Sequence, residues 1–187
     1  MNQPRWPALL SLGFAALLSS CASRSPQTTP APARPPLKTV AHLDLPRFMG
    51  DWYVFANIPY YLENGKVGTF DRYALRPDGR IQNSFFFRRG TLDAPLKEWR
   101  GVAWVHDRQS NAEWRVQFIW PLRVPFLVID LDPDYQWAVI GYPSRKLAWV
   151  LSRTTTLDPA VYEGILVRMK AQGYDTRMLK LVPQRAP

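Results

Sequence analysis

Eight short apolar segments, separated by turn sequences about every ten residues, fill the chain between Trp52 and Arg153. No stretch between them is long enough to form the helix that joins two parallel strands. The sequence therefore predicts antiparallel strands connected by hairpins. The predicted strands cover residues 52–58, 69–75, 81–88, 99–106, 114–120, 126–131, 137–142 and 147–153.

The fifth segment alternates most clearly. Trp114, Val116 and Phe118 fall on one face, whereas Arg115 and Gln117 fall on the other. This period of two is typical of a strand with one face in an apolar interior and one in solvent.

One helix is predicted after the strands. Asp158 is a suitable N-cap, and Gly173 is a natural stop. Its apolar stripe consists of Val161, Ile165 and Met169. A final strand over 177–181 is expected to return to the sheet edge. The pattern predicts an all-β fold, an eight-stranded up-and-down barrel with one helix outside. The interior of such a barrel is filled by side chains or holds one small ligand.

The N-terminus has the organisation of an export signal. One positive charge, Arg5, precedes an apolar run from Ala8 to Leu18, which is too short to cross a bilayer as a helix but fits a secretory signal. The run ends in Leu18-Ser19-Ser20-Cys21, which resembles the bacterial lipobox, where cleavage precedes a lipidated cysteine. Cys21 is the only cysteine, so it cannot form an internal disulfide. An ordinary signal cleaved nearby is the alternative.

The chain is therefore divided into a cleaved signal (1–20), a lipidated N-terminus with a proline-rich tether (21–39) and a folded domain (40–187). Acyl chains such as palmitate on Cys21 would anchor the protein in a membrane. Residue 22 is Ala rather than the Asp that retains lipoproteins at an inner membrane. We therefore expect the periplasmic face of the outer membrane.

The net charge of +9 comes from basic residues that are spread along the chain. No nucleic-acid partner is expected for an exported, tethered protein. Attraction to anionic lipid head groups fits this location better, and a solvated basic exterior is the alternative.

Three short motifs occur in order along the predicted barrel. They are Gly50-Asp51-Trp52-Tyr53, Asp132-Pro133-Asp134-Tyr135 and Leu151-Ser152-Arg153-Thr154. Together they resemble the three lipocalin motifs, and the sequence is most similar to the bacterial outer-membrane lipocalins. The resemblance implies a carrier of fatty acids or lysophospholipids that acts in envelope lipid maintenance or stress.

The up-and-down order places all three motifs at one end of the barrel. There the Arg153 guanidinium can stack on the Trp52 indole and bind backbone carbonyls. The motifs are thus predicted to form a structural closed end rather than a catalytic site. Its residues are Gly50, Trp52, Asp132, Tyr135 and Arg153.

The ligand should enter at the other end, between the connections 59–67, 89–98, 120–126 and 142–147. Inward alternation predicts a pocket of Val54, Ala56, Ala103, Trp114, Val116, Phe118, Trp149 and Leu151. Basic residues on these connections favour an anionic head group at the mouth: Lys66, Arg89, Lys97, Arg123, Arg145 and Lys146. The apolar run 120–122 could contact a membrane, form a homodimer or cover the pocket.

The sequence contains few residues that could support catalysis. His42 and His106 are far apart, and no known catalytic or phosphate-binding motif occurs. Asp132 and Asp134 supply too few ligands for calcium. We expect no enzyme activity, no metal and no cofactor. The alternative to a carrier is a structural or protein-interaction module at the membrane whose barrel is filled by its own aromatic residues.

Overall fold

A computed structural model describes residues 34–185. The predicted signal, Cys21 and the tether up to residue 33 lie outside the described residues. Within 34–185, no helix is long and apolar enough to span a membrane.

Eight antiparallel strands form the barrel, and each pairs with the next along the chain. Strand β1 pairs with β2 on one side and with β8 on the other, which closes the sheet. A short strand, β9, lies outside and also pairs with β1. The predicted up-and-down barrel is therefore confirmed. The strands are β1 (Gly50–Asn57), β2 (Lys66–Leu75), β3 (Ile81–Arg89), β4 (Lys97–Asp107), β5 (Glu113–Ile119), β6 (Leu122–Leu131), β7 (Trp137–Gly141), β8 (Ala148–Ser152) and β9 (Lys180–Leu181).

The helix after the barrel is also confirmed, as α2 (Pro159–Ala171). The Asp158 side chain accepts hydrogen bonds from the backbone N–H groups of Ala160 and Val161, as an N-cap does. Ile165 and Met169 are buried where the helix packs on the outer face of the barrel. A one-turn helix, α1 (Leu45–Phe48), precedes β1 and was not predicted.

Two predicted boundaries were wrong. Residue 177 belongs to a 3-10 helix (Thr176–Met178), because the Asp175 carboxylate accepts a hydrogen bond from the Arg177 N–H and starts a turn. The final strand is therefore only Lys180–Leu181.

The predicted loop 120–126 is instead a tight hairpin. Leu122 pairs with Ile119, and Val124 pairs with Val116, so β6 starts immediately after Trp120-Pro121. Backbone pairing with β5 thus extends the sheet through residues that were predicted to form a connection.

The last residues of the predicted tether contact the domain. The Lys38 N–H donates to Gln172 of the segment after α2, and the Val40 N–H donates to the Val128 carbonyl. The Arg145 side chain donates to the Pro35 carbonyl. The chain thus contacts the folded domain from residue 35 onward.

Two apolar clusters lie on either side of the barrel wall. The first fills the barrel interior and contains Trp52, Val54, Tyr73 and Trp114. The second lies between the wall and α2 and contains Val150, Ile165 and Met169. The interior cluster fills one end of the barrel completely and leaves the other open.

Candidate functional site

Arg153 closes one end of the barrel. Its guanidinium lies 3.7 Å from the centroid of the Trp52 ring. Its three nitrogens donate to the carbonyls of Arg47 at 2.7 Å, Asp51 at 2.9 Å and Tyr135 at 3.3 Å. One side chain therefore joins the segment before β1, the start of β1 and the β6–β7 turn.

The other closed-end residues surround this contact. Gly50 has φ +94°, and a Cβ there would lie 3.3 Å from an Arg153 nitrogen, so the position favours glycine. The Tyr135 hydroxyl accepts a hydrogen bond from the Asp44 N–H. The Asp132 carboxylate accepts from the Gln136 N–H and fixes the turn. All five residues predicted for the closed end lie at this end of the barrel.

Aromatic rings form the floor above this end. The Trp114 ring stacks on Phe126 with centroids 4.9 Å apart, and Tyr73 meets Trp114 edge-on. Phe48 of α1 packs against Trp52 and Trp114 from below. This packing excludes a ligand from the lower half of the barrel.

Above the floor lies a cavity of about 520 Å³ that opens at the other end of the barrel. Its apolar wall comes from several strands, and its residues include Phe85, Trp99, Val116, Phe118, Ile119, Val124, Phe126, Ile140, Trp149 and Leu151. This volume is in the range of small-molecule sites.

The eight predicted pocket residues separate into three groups. Four of them line the cavity: Val116, Phe118, Trp149 and Leu151. Val54, Ala103 and Trp114 lie in the packed barrel interior, away from the cavity wall.

Ala56 faces α2, outside the barrel. The β1–β8 register shifts between Val54 and Ala56, so strict alternation fails at this point. A β-bulge inserts one residue and reverses the faces of those that follow, and an alternation argument cannot detect it.

The connection between β1 and β2 folds inward and places Glu63 in the cavity. Its carboxylate accepts hydrogen bonds from the Asn57 amide at 2.6 Å and from the Trp149 indole at 3.1 Å. Burial raises the pKa of Glu63, while these hydrogen bonds and the nearby Lys66 oppose the shift. Glu63 thereby ties the connection to β1 and β8.

Asp71, Tyr73 and Asn83 form a polar patch on the cavity wall. Burial raises the pKa of Asp71 well above its usual value, and the negative charge of Glu63 adds to the effect. The facing hydroxyl of Tyr73 opposes it. Asn83 is buried, and among residues 34–185 its Oδ1 atom has no hydrogen-bond partner.

The raised pKa of Asp71 links folding to pH. The folded state holds this proton more tightly than the unfolded chain, whose Asp titrates near about 3.9. The free energy of unfolding therefore falls as pH rises from the unfolded pKa to the folded pKa. Above the folded pKa, the stabilisation that the proton on Asp71 provides is lost completely.

The sequence analysis did not identify these polar residues. A usable signal exists in β3, where Ile81, Phe85 and Phe87 share one face and Asn83 interrupts it. Glu63 had no such signal, because the path of a connection cannot be inferred from strand periodicity.

The rim of the cavity combines apolar and basic groups. At the β5–β6 hairpin, Trp120 is 84% exposed and Leu122 63% exposed. The Lys66 ammonium lies 4.3 Å from the Trp99 ring centroid, beside Arg89 in a depression at the rim. Arg145 instead binds the Gln172 carbonyl outside the barrel, and Arg123 covers the Trp104 ring. Of the predicted mouth cations, Lys66 and Arg89 line that depression.

Across residues 34–185, no group of three or more His, Cys, Asp and Glu side chains could hold a metal ion. The arrangement is suited to enclosing an apolar ligand and contacting a polar group.

Comparison with known proteins agrees with the geometry. Temperature-induced lipocalin-1 of Arabidopsis thaliana is 34% identical over 162 residues, which cover 79% of this chain and 83% of that protein. Outer membrane lipoprotein Blc of Escherichia coli strain K12 is 28% identical over 181 residues, 95% of this chain and 96% of that protein.

Among solved structures, insecticyanin from the tobacco hornworm Manduca sexta matches the fold with a TM-score of 0.62 at 19% identity, covering 81% of this chain and 86% of that chain. A family model described as a lipocalin-like domain matches residues 43–184. The resemblance to bacterial outer-membrane lipocalins is confirmed, and the chain belongs to the lipocalin-like family.

Proposed function

We propose that this protein is a noncatalytic carrier that holds a fatty acid or lysophospholipid in its barrel, in envelope lipid maintenance or stress. The observation that carries the proposal is the cavity of about 520 Å³, which has a mainly apolar wall and one open end. An acyl chain gains about 0.8 kcal/mol for each methylene that leaves water. A chain of several methylenes thus offsets the cost of ordering the ligand.

The proposed location is the periplasmic face of the outer membrane, with the protein anchored through lipid on Cys21. Relatives named outer membrane lipoprotein support it. The exposed apolar hairpin at 119–122 lies at the cavity mouth and suits contact with the bilayer that supplies the ligand. A homodimer would cover the same hairpin, and light scattering of wild type and Trp120→Ser distinguishes these roles.

The second candidate is a barrel filled by its own aromatic residues. Its requirement is that Trp114, Phe118 and Trp149 pack onto one another. Trp114 stacks on Phe126 in the floor, whereas the Trp149 indole is held by Glu63 beside the cavity. Trp114 and Trp149 are thus held at different places in the barrel, which favours the carrier.

The test is ligand binding with a blocked cavity. Lipid that co-purifies with the full-length chain from its own membrane is identified by mass spectrometry. Fatty acids and lysophospholipids of increasing length are then titrated. Val116→Phe places a larger side chain on the cavity wall, and Val167→Phe makes the same change on the exposed face of α2. We expect Val116→Phe to weaken binding and Val167→Phe to leave it unchanged.

Val116 is buried, so Val116→Phe can also disturb folding. Val124→Phe is the second variant, because Val124 lines the cavity but is 44% exposed at the rim. Absence of binding for every acyl ligand, or equal binding by all three folded variants, would refute a carrier that uses this cavity.

A further inference from the structure

The interior of the cavity is acidic, whereas the carrier as first expected takes an anionic head group at its mouth. We propose that the cavity binds an amphiphile that carries a protonated primary amine, with the amine inside the barrel at Asp71 and Asn83. This inference rests on the proposed function for the apolar part of the ligand. It adds which polar group the ligand carries and which end of the ligand lies inside the barrel.

The two residues belong to one continuous patch. Asn83 is the cross-strand partner of Tyr73, and Asp71 is the next inward residue along β2. Asp71 and Asn83 are therefore diagonal neighbours across the two strands, and such neighbours are about 7–8 Å apart, so one ligand head group can lie between them. Both residues line the cavity above its aromatic floor.

Within the part of the chain that the structure describes, the patch has one acceptor without a partner and one carboxylate without a basic counterpart. Asn83 is 2% exposed, and its Oδ1 atom has no partner among residues 34–185. Within the same residues, no basic side chain forms a salt bridge with Asp71. A buried acceptor without a protein donor is satisfied by water or by a ligand, and in this cavity an N–H group of a ligand can take that place.

Glu63 contributes charge rather than a free acceptor. The indole of Trp149 and the amide of Asn57 already donate to it. Its carboxyl lies close enough to Asp71 for the two charges to repel each other. A third negative group, such as a fatty-acid carboxylate, would be repelled from this part of the cavity.

An ammonium group matches the patch in both respects. It has three N–H donors and no acceptor, and it carries a positive charge. Burial already raises the pKa of Asp71, and an ammonium beside it would favour the carboxylate form. The rim cation Lys66 is held over the rings of Phe87 and Trp99, and Arg100 on the cavity wall pairs with Glu98. The ligand chain would then extend from Asp71 towards the apolar hairpin at 119–122.

The test compares three ligands that share one chain: dodecylamine, dodecanol and dodecanoate, each below its micellar concentration. Binding is measured by calorimetry at neutral pH, where a primary amine is protonated. The protein is the full-length chain with Cys21→Ser, so that no attached lipid competes. We expect dodecylamine to bind most tightly.

Asp71→Asn should weaken dodecylamine binding about tenfold or more, the effect of losing one charged hydrogen bond, and should not weaken dodecanoate. Asn83→Leu removes the other acceptor at similar volume and should also weaken the amine. Asp134→Asn is the matched control, because it makes the same change of charge in the closed-end turn. It should leave all three affinities unchanged.

Three results would overturn the inference. They are tighter binding of dodecanoate than of dodecylamine, equal binding of dodecanol and dodecylamine, and an unchanged amine affinity in folded Asp71→Asn and Asn83→Leu. Binding of dodecanoate alone would leave the carrier intact and remove only the amine site. Absence of binding for all three would remove the carrier itself.

Discussion

Replacing Arg153 by alanine tests the closed end most directly. The change removes three hydrogen bonds to backbone carbonyls and a cation–π contact to Trp52. Hydrogen bonds from a charged group contribute about 1.5–3 kcal/mol each, and a cation–π contact about 0.5–2 kcal/mol. Arg153 is only half-buried, so solvent screens part of this energy. We therefore expect a loss of about 3–4 kcal/mol in the free energy of unfolding.

Urea unfolding followed by tryptophan fluorescence measures this loss. Arg153→Lys keeps the charge but cannot reach three carbonyls at once, so its loss should be intermediate. Arg177→Ala is the control, because Arg177 is exposed and, among residues 34–185, pairs only with the neighbouring Asp175. Ligand affinity of folded Arg153→Ala should equal that of wild type, since the cavity lies at the other end. A loss below about 1 kcal/mol, or a lysine variant as stable as wild type, would refute the reasoning.

Three further predictions concern the cavity and the anchor. Asp71→Asn should unfold at a higher urea concentration than wild type at about pH 8, and the difference should shrink towards about pH 3. The other groups that face residue 71 are Glu63, Tyr60 and Tyr73, and they are the same in both proteins. A difference independent of pH would therefore exclude the raised pKa of Asp71. Gly101→Ala places a Cβ 2.8 Å from the Phe118 ring and 2.9 Å from the Gln117 carbonyl. The free energy of unfolding should therefore fall by about 1–3 kcal/mol, and the ligand affinity should change. If neither quantity changes, the close contact is contradicted. Cys21→Ser should abolish incorporation of labelled palmitate and release the protein from membranes, and an unchanged membrane fraction would argue against the anchor.

The three motifs at the closed end could be recognised in the sequence because their residues meet local requirements of the backbone. Gly50 is needed where φ is positive, and Arg153 is needed where three carbonyls converge. Such requirements select one residue type at a fixed position, so they are readable in a single sequence.

The cavity wall was harder to infer, because β2 and β3 carry apolar residues on both faces. Phe70 and Phe86 stack on each other at 4.6 Å on the face opposite to Asp71 and Asn83. A rule that turns aromatic residues inward would therefore have placed the polar patch outside. In β5 only one face is apolar over Trp114 and Val116, and there alternation did identify interior residues.

The sequence by itself determined the barrel, its helix and which end is closed. These follow from strand periodicity, capping residues and local backbone requirements, which act over a few residues. Only the tertiary structure decided that Trp114 forms the floor, that Ala56 faces the helix and that Glu63 folds inward. Those outcomes depend on a bulge, on the path of a connection and on contacts between residues such as Glu63 and Trp149, which are 86 positions apart. Glu63 is held in the cavity through such a long-range contact, whereas Asp71 and Asn83 lie on the neighbouring strands β2 and β3.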